Sequence, residues 1–406
     1  MNVVGVIISG AVALVITVAL TAVVRGLAPV IAAKGGRRRP RRTVGTGVAV
    51  VLATTGVMLA APRLGLPEPG FGVRLLLTAS SAVAVVGLVK ELRPVGARTE
   101  LVLHTLLAAL VAAFSGLSPV AAVFGAVLVV VLTHALQLLD GSDGTAAGVT
   151  VVLAVGLLTC AAVDHHPGTV LLLAVVAASV SGVLPYNWPP ARVFYGSCGS
   201  RYTGFLLAGS VLLLLAGAPS GSAAWVSVPA VMAVALADLV LVLLSRRKAG
   251  RSLLAPGQDH AVHRLRRLRL TPRGAAVTLI LATAACTATG TLIHTGVFHP
   301  AVGLALPAAV AVAAVALLRV PVYAPPAPRT GVRRKPAGAA LSQEAPVAPA
   351  AAAPSSTRHK ATVPGPTQQG VPEPKPGTPA RTTAPHIAAT RKPAEGRPAD
   401  LAGDRR

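Results

Sequence analysis

The chain has 406 residues, of which 53% are hydrophobic and only 12% charged, with a formal net charge of +24. Soluble globular domains carry about 25% charged residues, so the composition excludes an ordinary soluble fold and points to a helical membrane protein. It does not mark a nucleic-acid binder, because Lys and Arg gather in a few short loops and a tail, as expected of segments on the inner side of a membrane.

In chain order, apolar runs predict eleven spans: residues 2–24, 44–61, 72–89, 101–117, 119–139, 145–163, 169–186, 204–217, 224–245, 275–295 and 302–320. The first run has neither a basic start nor a clear cleavage site and reads as a retained helix. Alternating sides puts every basic loop on one face, with the N-terminus outside and the C-terminus in the cytoplasm. The loop 246–274 alone holds nine Lys or Arg. Residues 1–323 form the expected membrane domain. Residues 324–406, dominated by Pro, Ala, Thr and Arg, predict a disordered cytoplasmic tail, because they offer too little apolar surface to offset ordering entropy. Cys160, Cys198 and Cys286 are scattered and suggest neither a disulfide framework nor a metal site. The spans show few midplane charges or breaks, which argues against a small-molecule transporter.

Four polar segments fall on the cytoplasmic face: 90–100, 140–144, 187–203 and 246–274. The second is the Asp140-Gly-Ser-Asp143-Gly144 turn at the mouth of a span. Two carboxylates there are costly unless hydrated or engaged, and both a hydrated turn and a binding site fit them. The third reads Tyr186-Asn187-Trp188-Pro189-Pro190-Ala191-Arg192. The fourth contains Asp259-His260-Ala261-Val262-His263-Arg264-Leu265. Basic and His groups near carboxylates are the means by which proteins grip a diphosphate with its metal.

Together these segments resemble the polyprenyl-phosphate sugar-1-phosphate transferases, glycosyltransferase family 4. His134, Gln137, Asp140, Gly141, Asp143, Gly144 and Ala146 fall on a family segment of the form N-x-x-N-x-x-D-G-x-D-G-L-A. Residues 186–192 with Gly199 and Ser200 fall on Y-N-x-P-P-A-R-x-F-x-G-D-x-G-S. His260, His263, Arg264 and Leu265 fall on H-x-H-H-R-L, and Asp238 looks like a recurring family Asp. The resemblance covers residues 44–320. It implies an all-α membrane fold with a cytoplasmic-face cleft, in the plasma membrane. It also implies transfer of a sugar-1-phosphate from a UDP-sugar to polyprenyl phosphate, as in cell-wall or polysaccharide biogenesis, with Mg²⁺ as cofactor. The implied catalytic residues are Asp140, Asp143 and Glu91; the implied substrate-binding residues are Asn187, Arg192, His260, His263 and Arg264.

The sequence departs from that pattern at named positions. Lys90-Glu91 stands where the family has adjacent Asp residues, and Ser197 where it has a metal-binding Asp. His134 and Gln137 replace two Asn, and Val262 replaces a His. Mg²⁺ takes hard anionic oxygens, so these changes leave two readings: an altered transferase, or an inactive member that binds lipid or nucleotide or regulates. Lys90-Glu91 fits a helix end cap as well as an altered site, and Asn187 a loop-building as well as a phosphate-holding role. Ser197 and Cys198 lack an activating base and read as structural. Asp164-His165-His166 reads as a solvated turn on the outer face, and His104 and His134 as satisfied core residues. The family pattern is compatible with a homodimer.

Overall fold

The computed structural model describes residues 3–34, 46–93, 95–218, 223–253, 257, 259–303 and 305–323. The basic residues 35–45 and the expected tail, 324–406, lie outside the described residues. All elements are helical: α1 (Val3–Lys34), α2 (Gly47–Ala60), α3 (Phe71–Leu92), α4 (Ala97–Ala113), α5 (Pro119–Leu138), α6 (Thr145–Val163), α7 (Pro167–Asn187), α8 (Gly196–Gly217), α9 (Ala224–Val231), α10 (Ala233–Lys248), α11 (Ala261–Arg267), α12 (Pro272–His294), α13 (Pro300–Gly303) and α14 (Ala305–Leu317).

Eight helices among the described residues are long and apolar enough to cross a membrane, and the bent pair α9–α10 makes a ninth. The chain is a multi-pass membrane protein. Each of the eleven expected segments is helical, but two are not among these nine. The α4 helix, with 17 residues opening on Arg98 and Glu100, stands at the short end of the range for a span, and α14 has only 13. The pair α9–α10 bends by 60° at Met232, a break that the apolar run conceals. Pro229 withholds one helical N–H just before the bend. The backbone of α12 at Gly290 also closes on it, so that a Cβ there would lie 2.7 Å from the Ser227 carbonyl oxygen.

Local chemistry explains several starts. Ser118 accepts the Ala121 N–H at 3.4 Å ahead of Pro119, and Thr271 accepts the Gly274 N–H at 3.0 Å ahead of Pro272. These are side-chain N-caps with Pro in the first turn, where its missing N–H costs nothing.

The α8 helix is the axis of the bundle, packed by α2, α3, α5 and α6 and buried almost throughout. It begins at Gly196, eight residues ahead of the predicted span at 204. That early start is built by contact. A Cβ on Gly47 would lie 2.1 Å from the Gly199 nitrogen, and one on Gly87 2.5 Å from the Ser197 carbonyl oxygen. Small residues thus let α2 and α3 close on the first turn of α8, and Arg201, read as part of a polar connection, becomes 1% exposed.

The loop after α5, the C-terminus of α3, the start of α8 and the α10–α12 connection meet at one end of the bundle. At the other end Asp164 Oδ1 accepts from His294 Nε2 at 3.0 Å, and His294 Nδ1 meets Ser227 Oγ at 3.0 Å. Asp164 is therefore tied to α12 and is not a free solvated turn residue. Ser227 is fully buried, so the chain Asp164–His294–Ser227 joins α6, α9 and α12 and presents no nucleophile.

Candidate functional site

The site begins with Asn187. Its Oδ1 accepts the Gly144 N–H at 3.0 Å, and its Nδ2 donates to the Val193 carbonyl at 3.1 Å. One buried amide thereby clamps the Asp140–Gly144 loop to the Pro-rich loop. Gly144 has φ +73°, and a Cβ there would lie 3.0 Å from Pro189 Cδ, so both backbone angle and space call for glycine. Asp143 Oδ2 accepts the Ala191 N–H at 3.1 Å. Arg192 points elsewhere: its side chain is exposed, while its N–H donates to the Tyr186 carbonyl at 2.9 Å.

Gly141 abuts the His segment, since a Cβ there would be 3.5 Å from His260 Cδ2 and 3.8 Å from His263 Nε2. Asp238 organises that segment from α10. Its Oδ2 meets His260 Nδ1 at 2.9 Å, and its Oδ1 accepts the Ala261 N–H at 2.7 Å. Burial, with the nearby His260 and Arg266 charges, lowers the His263 pKa from its ordinary value, which favours the neutral ring. The His263 Nε2 is buried without a hydrogen-bond partner, as is Gln137 Oε1. Orphaned buried polar atoms are uncommon in native proteins and call for a partner.

Beside these residues lies a cavity of about 670 Å³, lined among others by Asp143, Pro190, His263, Arg266, Thr271 and Arg273. Its ionisable groups are one carboxylate, an imidazole and two guanidinium groups, a set suited to an anion. Arg273 Nε also donates to the Pro189 carbonyl at 2.8 Å, tying α12 to the Pro loop. The sequence reading did not single out Arg266 and Arg273. The only signal was charge density in the 246–274 loop, which does not say which of nine cations turns inward.

Arg264 does not join the cavity. It is 1% exposed, and its guanidinium donates to the Leu317 carbonyl at 2.9 Å and the Val320 carbonyl at 2.6 Å, while Nε reaches the Asp259 carbonyl at 3.2 Å. These carbonyls, at the end of α14 and just beyond it, take up its donors, so Arg264 anchors that segment and its guanidinium is turned away from the cavity. Next to it Arg246 grips Asp259 with two donors at 2.8 and 3.0 Å, and Tyr323 donates to the same carboxylate at 2.6 Å. Burial works against the Asp259 charge, but the Arg246 and Tyr323 hydrogen bonds outweigh it and hold the carboxyl below its ordinary range.

Glu91, Asp140 and Ser197 meet on the far side of the Asp140 loop. Glu91 Oε1 accepts the Cys198 N–H at 2.9 Å, capping the first turn of α8. Asp140 stands beside Gly196 and Ser200 of the first turn of α8, with Glu91 and Arg201 within electrostatic range, while the Ser200 hydroxyl donates to the Gly196 carbonyl at 2.8 Å. Lys90 turns away from both, forming an ion pair with Glu100, which also pairs with Arg201. The charge of Lys90 is thus taken up outside the Asp140–Ser197 cleft. The donor set fits the implied Mg²⁺ poorly. Two carboxylates remain, one of them engaged by a helix terminus, and a hydroxyl stands at the third position. Such a set does not make a tight octahedral site for this ion.

The structure therefore brings Glu91, Asp140, Asp143, Asn187, Ser197, His260 and His263 to one end of the bundle, and leaves Arg192 and Arg264 turned elsewhere.

The sequence is also similar to known proteins. The sequence profile described as glycosyl transferase family 4 matches residues 73–215. A Streptomyces coelicolor protein bearing the name glycosyltransferase is 42% identical over 296 residues, 73% of this chain and 71% of its own. A decaprenyl-phosphate N-acetylglucosaminephosphotransferase of Mycobacterium tuberculosis is 29% identical over 259 residues, 54% of this chain and 64% of its own. A phospho-N-acetylmuramoyl-pentapeptide-transferase of Chlamydia trachomatis is 41% identical over 87 residues, 21% of this chain and 26% of its own. With a relative of that identity and coverage, and the motif residues gathered at one end of a helical membrane bundle, the chain is a member of glycosyl transferase family 4.

Proposed function

We propose that the chain binds a UDP-sugar with its diphosphate in the cavity of Asp143, His263, Arg266 and Arg273, and transfers the sugar-1-phosphate to a polyprenyl phosphate. In that reaction an oxygen of the lipid phosphate bonds to the β-phosphorus. The bond from the bridging oxygen to that phosphorus breaks, and UMP leaves. The observation that carries the reading is the cavity itself: two guanidinium groups and the unpartnered His263 Nε2 converge beside the Asp140 loop. Arg266 and Arg273 would hold phosphate oxygens, Asn187 would set the loop, and Asp238 would orient His260.

A second reading, binding without turnover, is favoured by Glu91, whose carboxylate is engaged by the Cys198 N–H. One assay separates the two. Purified full-length protein in nanodiscs is given labelled UDP-GlcNAc and a polyprenyl phosphate, with and without Mg²⁺. The expected result is saturable UDP-GlcNAc binding with transfer that is slow in Mg²⁺. Arg266→Ala should weaken binding about tenfold or more, the loss of a charge-assisted hydrogen bond. Absence of binding overturns both readings, and fast Mg²⁺-dependent turnover overturns the second.

We also infer an orientation that puts this site in the cytoplasm, from the one-sided placement of Lys and Arg. A reporter fused after Asp164 is expected to read as external and one after Gly250 as cytoplasmic. Both on one side would break that assignment. We also propose a homodimer, on the resemblance alone.

A further inference from the structure

Glu100, His104 and His134 form a cluster that the transfer reaction does not use. One ligand atom from each lies within 4.8 Å of the others, and among the described residues they are the grouping of His, Cys, Asp and Glu that can hold a metal. Glu100 and His104 stand four residues apart on α4, hence on one helix face, and His134 approaches from α5. The two rings meet edge to face, 5.3 Å between centroids.

The partners of the two histidines are informative. His104 is 0% exposed, and both its ring nitrogens lack a hydrogen-bond partner. It is not the satisfied core histidine that its apolar surroundings suggest, because at least one buried nitrogen is left without a donor or acceptor. Leaving such an atom orphaned costs the desolvation of a polar group that a bound partner would recover. His134 is arranged differently: its Nδ1 lies 2.8 Å from the Val130 carbonyl. A carbonyl can only accept, so Nδ1 carries the proton and Nε2 keeps its lone pair. That is the outer-shell arrangement that orients a metal-ligating imidazole.

We propose that Glu100, His104 and His134 bind a zinc-type divalent cation, structural in role, that fastens α4 to α5 behind the Asp140 loop. Two imidazoles and a carboxylate suit Zn²⁺ and exclude Mg²⁺ as the preferred ion. Glu100 has a carboxylate already shared by Lys90 and Arg201. The cation displaces the half-exposed Lys90, whose side chain is 32% accessible, while the buried Arg201 keeps the other oxygen.

The test uses full-length protein without a His tag, stripped with chelator and titrated with Zn²⁺ alone against a chromophoric competitor. Co²⁺ serves as a spectroscopic substitute. The expected result is one Zn²⁺ per chain and a Co²⁺ d–d band. His104→Ala and His134→Asn should each weaken binding more than about tenfold, at least the effect of losing an outer-shell partner. Lys90→Met should tighten binding, since the competing ammonium is gone. His134→Asn places there the residue the family pattern carries, so it keeps the test decisive if His104→Ala fails to fold. Failure of the native chain to bind Zn²⁺, or unchanged affinity in His134→Asn, overturns the proposal. Neither readout depends on transfer activity.

Discussion

Ser197→Asp is expected to raise Mg²⁺ affinity at least about tenfold, equivalent to about 1.4 kcal/mol. The new carboxylate would stand in the first turn of α8, next to the segment where Glu91 accepts the Cys198 N–H and Asp140 stands beside Gly196 and Ser200. Three acids at one helix terminus repel each other without a cation, and Mg²⁺ relieves that repulsion while gaining the hard oxygen the set lacks. The gain should appear as tighter Mg²⁺ in calorimetry and as greater Mg²⁺-dependent thermal protection than in the native chain. Adding Lys90→Asp should not multiply the effect. Lys90 is paired with Glu100, so an aspartate there faces a like charge in place of a counter-ion and costs stability. Equal Mg²⁺ affinity in native protein and Ser197→Asp would show that position 197 does not face a common cleft. Activity is a separate matter, because Gln137, His134 and Val262 also differ from the family pattern.

The largest stability effect is expected from Glu100→Gln. Glu100 is 4% exposed and Arg201 1%. The amide oxygen could still accept from the guanidinium, as the Ser197 carbonyl does 3.2 Å from Nη1, but neither carries the negative charge that balances a buried cation. Breaking a buried ion pair from one side costs about 3–5 kcal/mol, since the remaining charge stays desolvated. Lys90→Met removes the more exposed cation and should cost below about 1 kcal/mol. Thermal unfolding in detergent, with chelator present so that metal plays no part, should rank the midpoints as native, then Lys90→Met, then Glu100→Gln far below. Similar midpoints for Glu100→Gln and the native chain would mean that Arg201 finds water or another acceptor.

The membrane character, the eleven helical segments and the family were legible in the sequence, for physical reasons. A lipid-embedded helix must be apolar along its length, so its run is visible one residue at a time. The motif around Asp140 and that around Asn187 declare themselves because turns of this kind need particular residues. Gly144 must adopt φ +73°, and Asn187 must give an acceptor to one loop and a donor to the other.

What only the tertiary structure decided is where the charged side chains point. Arg264 lies in the His motif yet is taken up by the carbonyls of Leu317 and Val320, whereas Arg266, two residues on, lines the cavity. Lys90 looks like an intruding charge in the site until Glu100 is seen to take it. Glu91 looks like a surviving acid of a metal pair until α8 is seen to start at its carboxylate. Polar side chains choose partners by distance and burial across helices far apart in sequence, and apolar periodicity carries no record of those choices. The bend at Met232 and the short α4 belong to the same class, because packing and helix ends set them more than hydropathy does.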